Sequence, residues 1–273
     1  MRIALLISGF AADVPTLQQF ASMLTRNVLL NETKHHFEAF IWLQDGAMER
    51  MLKTLLLARR PTLPITLRAD NLDALPSVFS EPEDDAIARE YALLPPSALL
   101  PGTFNTLRML WKFAGVEMLR TLPTRSHDYV LRLRPDLVLF GRLDHLPPAT
   151  VGIDDGPRNE GPSVLVPWTC PGSDLVFDQL QVMESRAAAR LASLRLPGTF
   201  ALLANRSIPP SSYPERMVFH ALDARGIRPV VARFPSTALV LPGGQRVRDS
   251  FGKLRVDYAG CAPYPPPLAT KHW

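Results

Sequence analysis

About the first 70 residues switch repeatedly between strand-like and helix-like hydrophobic periods, and this alternation limits the available architectures more than any other feature. Arg2 to Ser8 reads as a buried strand closed by Gly9. A helix follows from about Val14 to Arg26, with Asp13 placed to cap it and Pro15 in its first turn. Next come an apolar strand over Phe37 to Leu43, a helix opened by Asp45-Gly46 and running to about Arg59, and a short strand over Pro64 to Ala69. A βαβαβ order calls for crossover helices on a parallel sheet. Ligands of such sheets sit beyond the carboxyl ends of the strands.

The chain of 273 residues is 47% apolar and 21% charged, enough for a core and unlike collagen, coiled coils or disordered chains. Its 27 prolines, about twice the usual frequency, predict long punctuated loops. Thirty Lys and Arg face 26 acids for a net charge of +4, and no basic run exceeds two residues, so no nucleic-acid footprint is expected. Arginine supplies 25 of those cations; the bias suits phosphate ligands, and it also follows from GC-rich coding. Cys170 and Cys261 are too few for a zinc cage or a disulfide framework, which points to a reducing cytoplasm. No apolar run approaches the ~18 residues of a membrane span. The expected location is cytoplasmic, and peripheral contact with the inner face of a membrane is compatible with it.

Phe104 to Leu122 is the most regular helix, with Leu107, Leu110, Trp111, Ala114, Met118 and Leu122 at core spacing. Arg108 and Lys112 share another side with Asn105, either as a solvated basic face or as a cationic wall facing an anionic ligand. The segment Asp128 to Phe140 then alternates as a strand, placing Leu131 and Leu133 on one face and Arg132, Arg134 and Asp136 on the other. Charges on a central strand are costly unless that face opens on a polar site, and Pro135 predicts that regular pairing stops or bulges there. Two arginines and a carboxylate at a strand end suit phosphates and, through Asp136, a divalent metal; the alternative is an internal Arg-Asp network holding a bulge.

Ser163 to Trp168 reads as a further strand. Ser173 or Asp174 is then expected to cap a helix running through Met183, with Leu180, Met183, Leu191 and Leu194 facing inward. Asp174 is thus either a cap or a carboxylate that meets a substrate hydroxyl. Ser212 to Glu215 has the pattern of a capping box for a helix ending at Gly226, which makes Glu215 a capping residue or a base, and Ile227 to Phe234 reads as the next strand. His35-His36 reads as a solvated loop pair, His220 as a helix histidine, and the tail from Gly243 as loop. Phosphate-cradling GxxxxGK[ST], GxSxG and GxGxxG motifs do not occur, which speaks against ATPases, serine hydrolases and common dinucleotide enzymes.

Taken in order, these segments resemble the GT-A fold sugar-nucleotide glycosyltransferases associated with capsule and lipopolysaccharide synthesis in bacteria and with some viruses. The resemblance is carried by Ser8-Gly9-Phe10 after the first strand, by Tyr129, Arg132, Arg134, Pro135 and Asp136, and by Ser173, Asp174, Phe177 and Met183. Pro214, Glu215, Leu222, Gly226 and Ile227 complete it, over about Met1 to Val231.

That resemblance implies an α/β, Rossmann-like, mostly parallel sheet flanked by helices in a single domain. A nucleotide-binding half would span about 1–140, an acceptor-side half about 141–240, and an extended tail 243–273. It implies a UDP- or GDP-sugar donor lying over Ser8, Gly9 and Phe10, and a glycan or glycolipid acceptor. A divalent cation, Mn²⁺ or Mg²⁺, would be held by Asp136, the surviving carboxylate of a DxD-type motif. Arg134 stands where the first acid of that motif would be and can itself neutralise phosphate. Asp174 is the first candidate for the base, with Asp178 and Glu215 behind it. The competing expectations are a nucleotidyltransferase or other nucleotide-binding α/β enzyme, and a non-catalytic binding module with a degraded site.

Overall fold

In the computed structural model the chain enters the central sheet with β1 (Arg2–Ser8), buried from Ile3 onward because neighbours cover both its edges and both its faces. Residues 1–29, 34–80, 82–92, 103–123, 126–148, 162–167, 169–170, 175–176, 179–192, 214–235 and 237–239 are described. Helix α1 (Val14–Asn27) starts where the sequence predicts: Asp13 Oδ1 accepts from the Thr16 N–H at 2.9 Å. Strand β2 (His36–Trp42) follows, and then α2 (Gly46–Leu57), capped by Asp45 through the Met48 N–H at 2.8 Å. After β3 (Ile65–Leu67) come two 3-10 turns, the short α3 (Ser77–Ser80), α4 (Glu83–Ala92) and the long α5 (Thr103–Thr121).

Strand β4 (Tyr129–Leu133) stops before Pro135; a turn closed by the Leu137 N–H on the Arg134 carbonyl at 3.2 Å leads into β5 (Leu137–Leu139). The interruption at proline is the one that its missing ladder donor dictates. Next come β6 (Ser163–Val166), β7 (Thr169–Cys170), β8 (Leu175–Val176), β9 (Leu180–Glu184), α6 (Ser185–Ala192), α7 (Pro214–Asp223), β10 (Arg228–Val231) and β11 (Thr237–Leu239). Helix α7 closes at Gly226, in the left-handed region, with the Ile227 N–H on the Leu222 carbonyl at 2.9 Å.

The seven-stranded sheet runs β3-β2-β1-β4-β9-β6-β10. All its neighbours are parallel except β9, which is antiparallel to both β4 and β6. The fold is therefore α/β with a mixed, mostly parallel sheet flanked by helices, and β5 with β11 and β7 with β8 form two small antiparallel pairs. Right-handed crossovers from β1 to β2 to β3 put α1 and α2 on one face, and the return to β4 puts α5 on the other. Accordingly α1 packs on α2, and α5 packs on β1, β2 and α6.

Strand β9 corrects the expected helix through Met183. It lies in the sheet with all residues from Leu180 to Met183 buried, so neither face is exposed, and the spacing of Leu180 and Met183 imitates a helix. Leu175–Val176 is a strand as well, so the expected helix does not run through these two residues.

The α5 face of the sheet closes on an aromatic cluster. Trp42 is fully buried, edge-on to Trp111 and Phe79 with ring centroids 5.2 and 5.6 Å away. It fits because α5 has Gly115 there, where an added Cβ would fall 2.5 to 2.8 Å from the Trp42 ring. A Gly→Ala change in an open helix gains ~1 kcal/mol, whereas overpacking costs ~1–3 kcal/mol, so the second effect wins. Gly115→Ala is expected to lower the urea midpoint by the equivalent of ~1–2 kcal/mol; a higher midpoint would show that Trp42 has room to move.

Candidate functional site

The strand order reverses between β1 and β4: from β1 the chain moves outward through β2 to β3, and then returns to the opposite side. Helices leave such a point on opposite faces, which opens a crevice beyond the carboxyl ends of the two strands. Ser8, Gly9 and Phe10 lie there after β1, and Arg134, Pro135 and Asp136 after β4. Gly9 locks the two segments together, because its φ of +144° suits glycine and a Cβ would come 3.1 Å from Pro135 Cδ and 3.9 Å from Arg134 Cγ. The loop is also tied to β2, with the Ala11 N–H donating to Gln44 Oε1 at 3.1 Å and Gln44 Nε2 donating to the Ala11 carbonyl at 2.6 Å.

On the β2 and β3 side of this loop a cavity of about 550 Å³ opens at the same edge of the sheet. Phe10, 60% exposed, stands at it with Gln44, and Arg68, Arg108 and Lys112 supply positive charge. Arg68 follows β3 and lies over the Trp42 ring, 5.3 Å from its centroid. Its Nε is 3.3 Å from Glu49 Oε1 on α2. Glu49 is fully buried and also accepts from the Leu43 N–H at 3.1 Å and the Ala69 N–H at 2.8 Å, thereby fastening the ends of β2 and β3. Burial pushes its carboxyl above the usual range, opposed by those N–H groups and by Arg68.

Arg108 and Lys112 do line the cavity, but they are not a solvated face. Lys112 is buried, with Nζ 3.1 Å from Glu83 Oε1, and Arg108 pairs with Asp84 and lies 3.8 Å from Glu83. Both acids belong to the first turn of α4, where they also favour the helix N-terminus. Burial lowers the Lys112 pKa and raises that of Glu83, and in each the partner's charge opposes the shift.

Asp136 is gripped side-on by Arg134, with Nε to Oδ1 at 3.0 Å and Nη2 to Oδ2 at 2.7 Å. Both side chains remain partly exposed. Among the described residues no group of three or more His, Cys, Asp or Glu side chains is placed to share a metal ion.

The structure thus brings Gly9, Phe10, Arg108, Lys112, Arg134 and Asp136 to one edge of the sheet, with Ser8 buried beneath them. Arg132 departs from the expected nucleotide-binding role. It is 1% exposed, its guanidinium lies over the Phe113 ring at 4.8 Å, and Nη1 donates to Gln181 on β9 at 3.2 Å. The polar face of β4 is covered there by α5, so Arg132 serves the core. Glu215 lies in the first turn of α7, which packs on β8 and β10 toward the far edge of the sheet, and it is not part of the cavity. Asp174 and Asp178, with Ser212, the expected cap, lie outside the described residues, as does the tail. No local sequence pattern marks Gln44, Glu49, Arg68, Glu83 and Asp84 as part of the site. The acid run after Pro82 was visible as composition, but only the fold sets it opposite Arg108 and Lys112.

A second cavity, of about 480 Å³, lies at the opposite edge, where Arg2, His35, Glu38, Pro64 and His127 meet at the starts of the strands. His127 Nε2 is 3.2 Å from Glu38 Oε2, and burial, with Arg120 nearby, keeps the imidazole pKa below its usual value. Both His35, half-buried, and His36, exposed, border this cavity, and the expected loop pair is split, since His36 is the first residue of β2. Comparison of the sequence with protein-family models found no match, and comparison with curated proteins found none either. Among the described residues no helix is long and apolar enough to cross a membrane.

Proposed function

We propose that this chain is a GT-A type glycosyltransferase that moves a sugar from a UDP- or GDP-sugar to a hydroxyl of a glycan or glycolipid. The observation that carries the reading is the packing of Gly9 on Arg134-Pro135, which joins the chain ends of β1 and β4 at the strand-order reversal beside a cationic cavity. An exposed aromatic, Phe10, stands at this edge to meet a base, and the guanidinium groups of Arg108 and Arg134 stand there to meet phosphates. In the transfer step the acceptor oxygen forms a bond to the anomeric carbon while the bond from that carbon to the diphosphate oxygen breaks. The diphosphate leaves with the electron pair, and its charge is met by Arg134 with Arg108 and Lys112. The acceptor proton passes to a carboxylate, for which Asp174 is the first candidate and Asp178 the second.

A thermal-shift series separates the readings, since a ligand that binds the native state raises its melting temperature. UDP or GDP and their sugars are expected to stabilise the protein, and nucleosides to do so less. Stabilisation by nucleoside triphosphates alone would favour a nucleotidyltransferase. Binding without turnover would favour a non-catalytic module, a reading consistent with the ion pairing of Asp136.

Asp174 is the first test of the chemistry. Asp174→Asn is expected to keep the melting temperature within about a degree or two and donor affinity unchanged, while turnover falls ~10²-fold, because an amide cannot take the proton. Wild-type turnover in this variant would remove Asp174 from the mechanism.

A further inference from the structure

We propose that the diphosphate is held at this site without a divalent cation, with the guanidinium of Arg134 standing in the metal's place and Asp136 acting to orient it. This rests on the glycosyltransferase reading, and it follows from how the carboxylates of the cleft are already engaged. Both oxygens of Asp136 are taken by Arg134, at 3.0 and 2.7 Å, in the side-on fork that matches a guanidinium edge to a carboxylate. A Mg²⁺ or Mn²⁺ ion on Asp136, at an oxygen distance of ~2.1 Å for Mg²⁺, would have to share oxygens that already accept from Arg134 and would sit against the guanidinium's own charge. The acids that line the cavity offer no substitute, because Glu83 is held by Lys112 and Asp84 by Arg108, and Glu49 behind Arg68 is held by that guanidinium and two backbone N–H groups.

A hard cation needs carboxylate charge that fixed cations do not already balance. Here a fixed cation meets Asp136, Glu49, Glu83 and Asp84. Arg134 is well suited to the substitution. Its stem lies against Gly9, which places it at the β1–β4 reversal. A carboxylate that positions an arginine, instead of ligating a metal, also accounts for a DxD-type motif whose first position is arginine. The leaving diphosphate is then met by preorganised donors that need no ion to be recruited.

Two measurements test this together: calorimetric titration of UDP and GDP in EDTA and in Mn²⁺, and the free-Mn²⁺ electron paramagnetic resonance signal of the wild type against Asp136→Asn. The expected results are affinities that agree within about twofold in EDTA and Mn²⁺, and the same free-Mn²⁺ signal for both proteins with and without nucleotide. Binding at least tenfold tighter in Mn²⁺, together with Mn²⁺ uptake that Asp136→Asn abolishes, would overturn the metal-free assignment and leave the glycosyltransferase reading standing. Binding of neither nucleotide in either condition would overturn both.

Discussion

Glu49→Ala is expected to lower the unfolding free energy by ~3–5 kcal/mol, the range for removing one partner of a buried ion pair. The carboxylate is fully buried and accepts from the backbone of Leu43 and Ala69 while facing Arg68, so its loss strands two N–H groups and one guanidinium. Strand ends β2 and β3 lose their common anchor, and Arg68 loses its fixed position on the cavity wall. Glu49→Gln keeps the shape and one good acceptor, and should cost less than half as much. Urea denaturation of the two variants checks this; a loss below ~1 kcal/mol for Glu49→Ala would mean that water replaces the carboxylate and that the strand ends are held by other contacts.

Arg134→Ala is expected to weaken UDP or GDP by ~10- to 100-fold, corresponding to ~1.5–3 kcal/mol for hydrogen bonds to a charged group. Nucleoside affinity should barely change, because the guanidinium faces charge that a nucleoside lacks. The variant also leaves Asp136 without its counterion, which sets a bare carboxylate against the diphosphate and pushes the effect toward the upper end. Stability should fall by less than ~1 kcal/mol, because the pair is partly exposed and screened. Titration calorimetry with both ligands reads the difference, and equal losses for nucleoside and diphosphate would assign Arg134 to structure alone.

What the sequence disclosed and what it hid divide along physical lines. The first three strands and α1, α2 and α5 were legible because each carries its own period, its cap or its breaker: Asp13 and Asp45 at helix starts, Gly9 after β1, Pro135 after β4. Strand β9 was not, because a strand buried on both faces has no alternation, and Leu180 with Met183 fits a helix equally well. The polar face of β4 was read as one surface, yet Arg132 is sealed beneath Phe113 while Arg134, past the strand end, reaches the cleft. No local pattern distinguishes the two; only the reach of α5 does. Arg108 and Lys112 share one side of a helix, as their spacing predicts, but their partners Glu83 and Asp84 lie on a different helix, and pairing across that separation is a property of the packed fold.

The most direct test of the account is a crystal structure of the protein with UDP or GDP bound. The account predicts a nucleotide over Gly9 and Phe10, at the carboxyl ends of β1 and β2, with diphosphate oxygens within hydrogen-bonding distance of Arg134. A nucleotide seated instead in the cavity between Arg2 and His127 at the opposite edge of the sheet, or no nucleotide bound at saturating concentration, would contradict it.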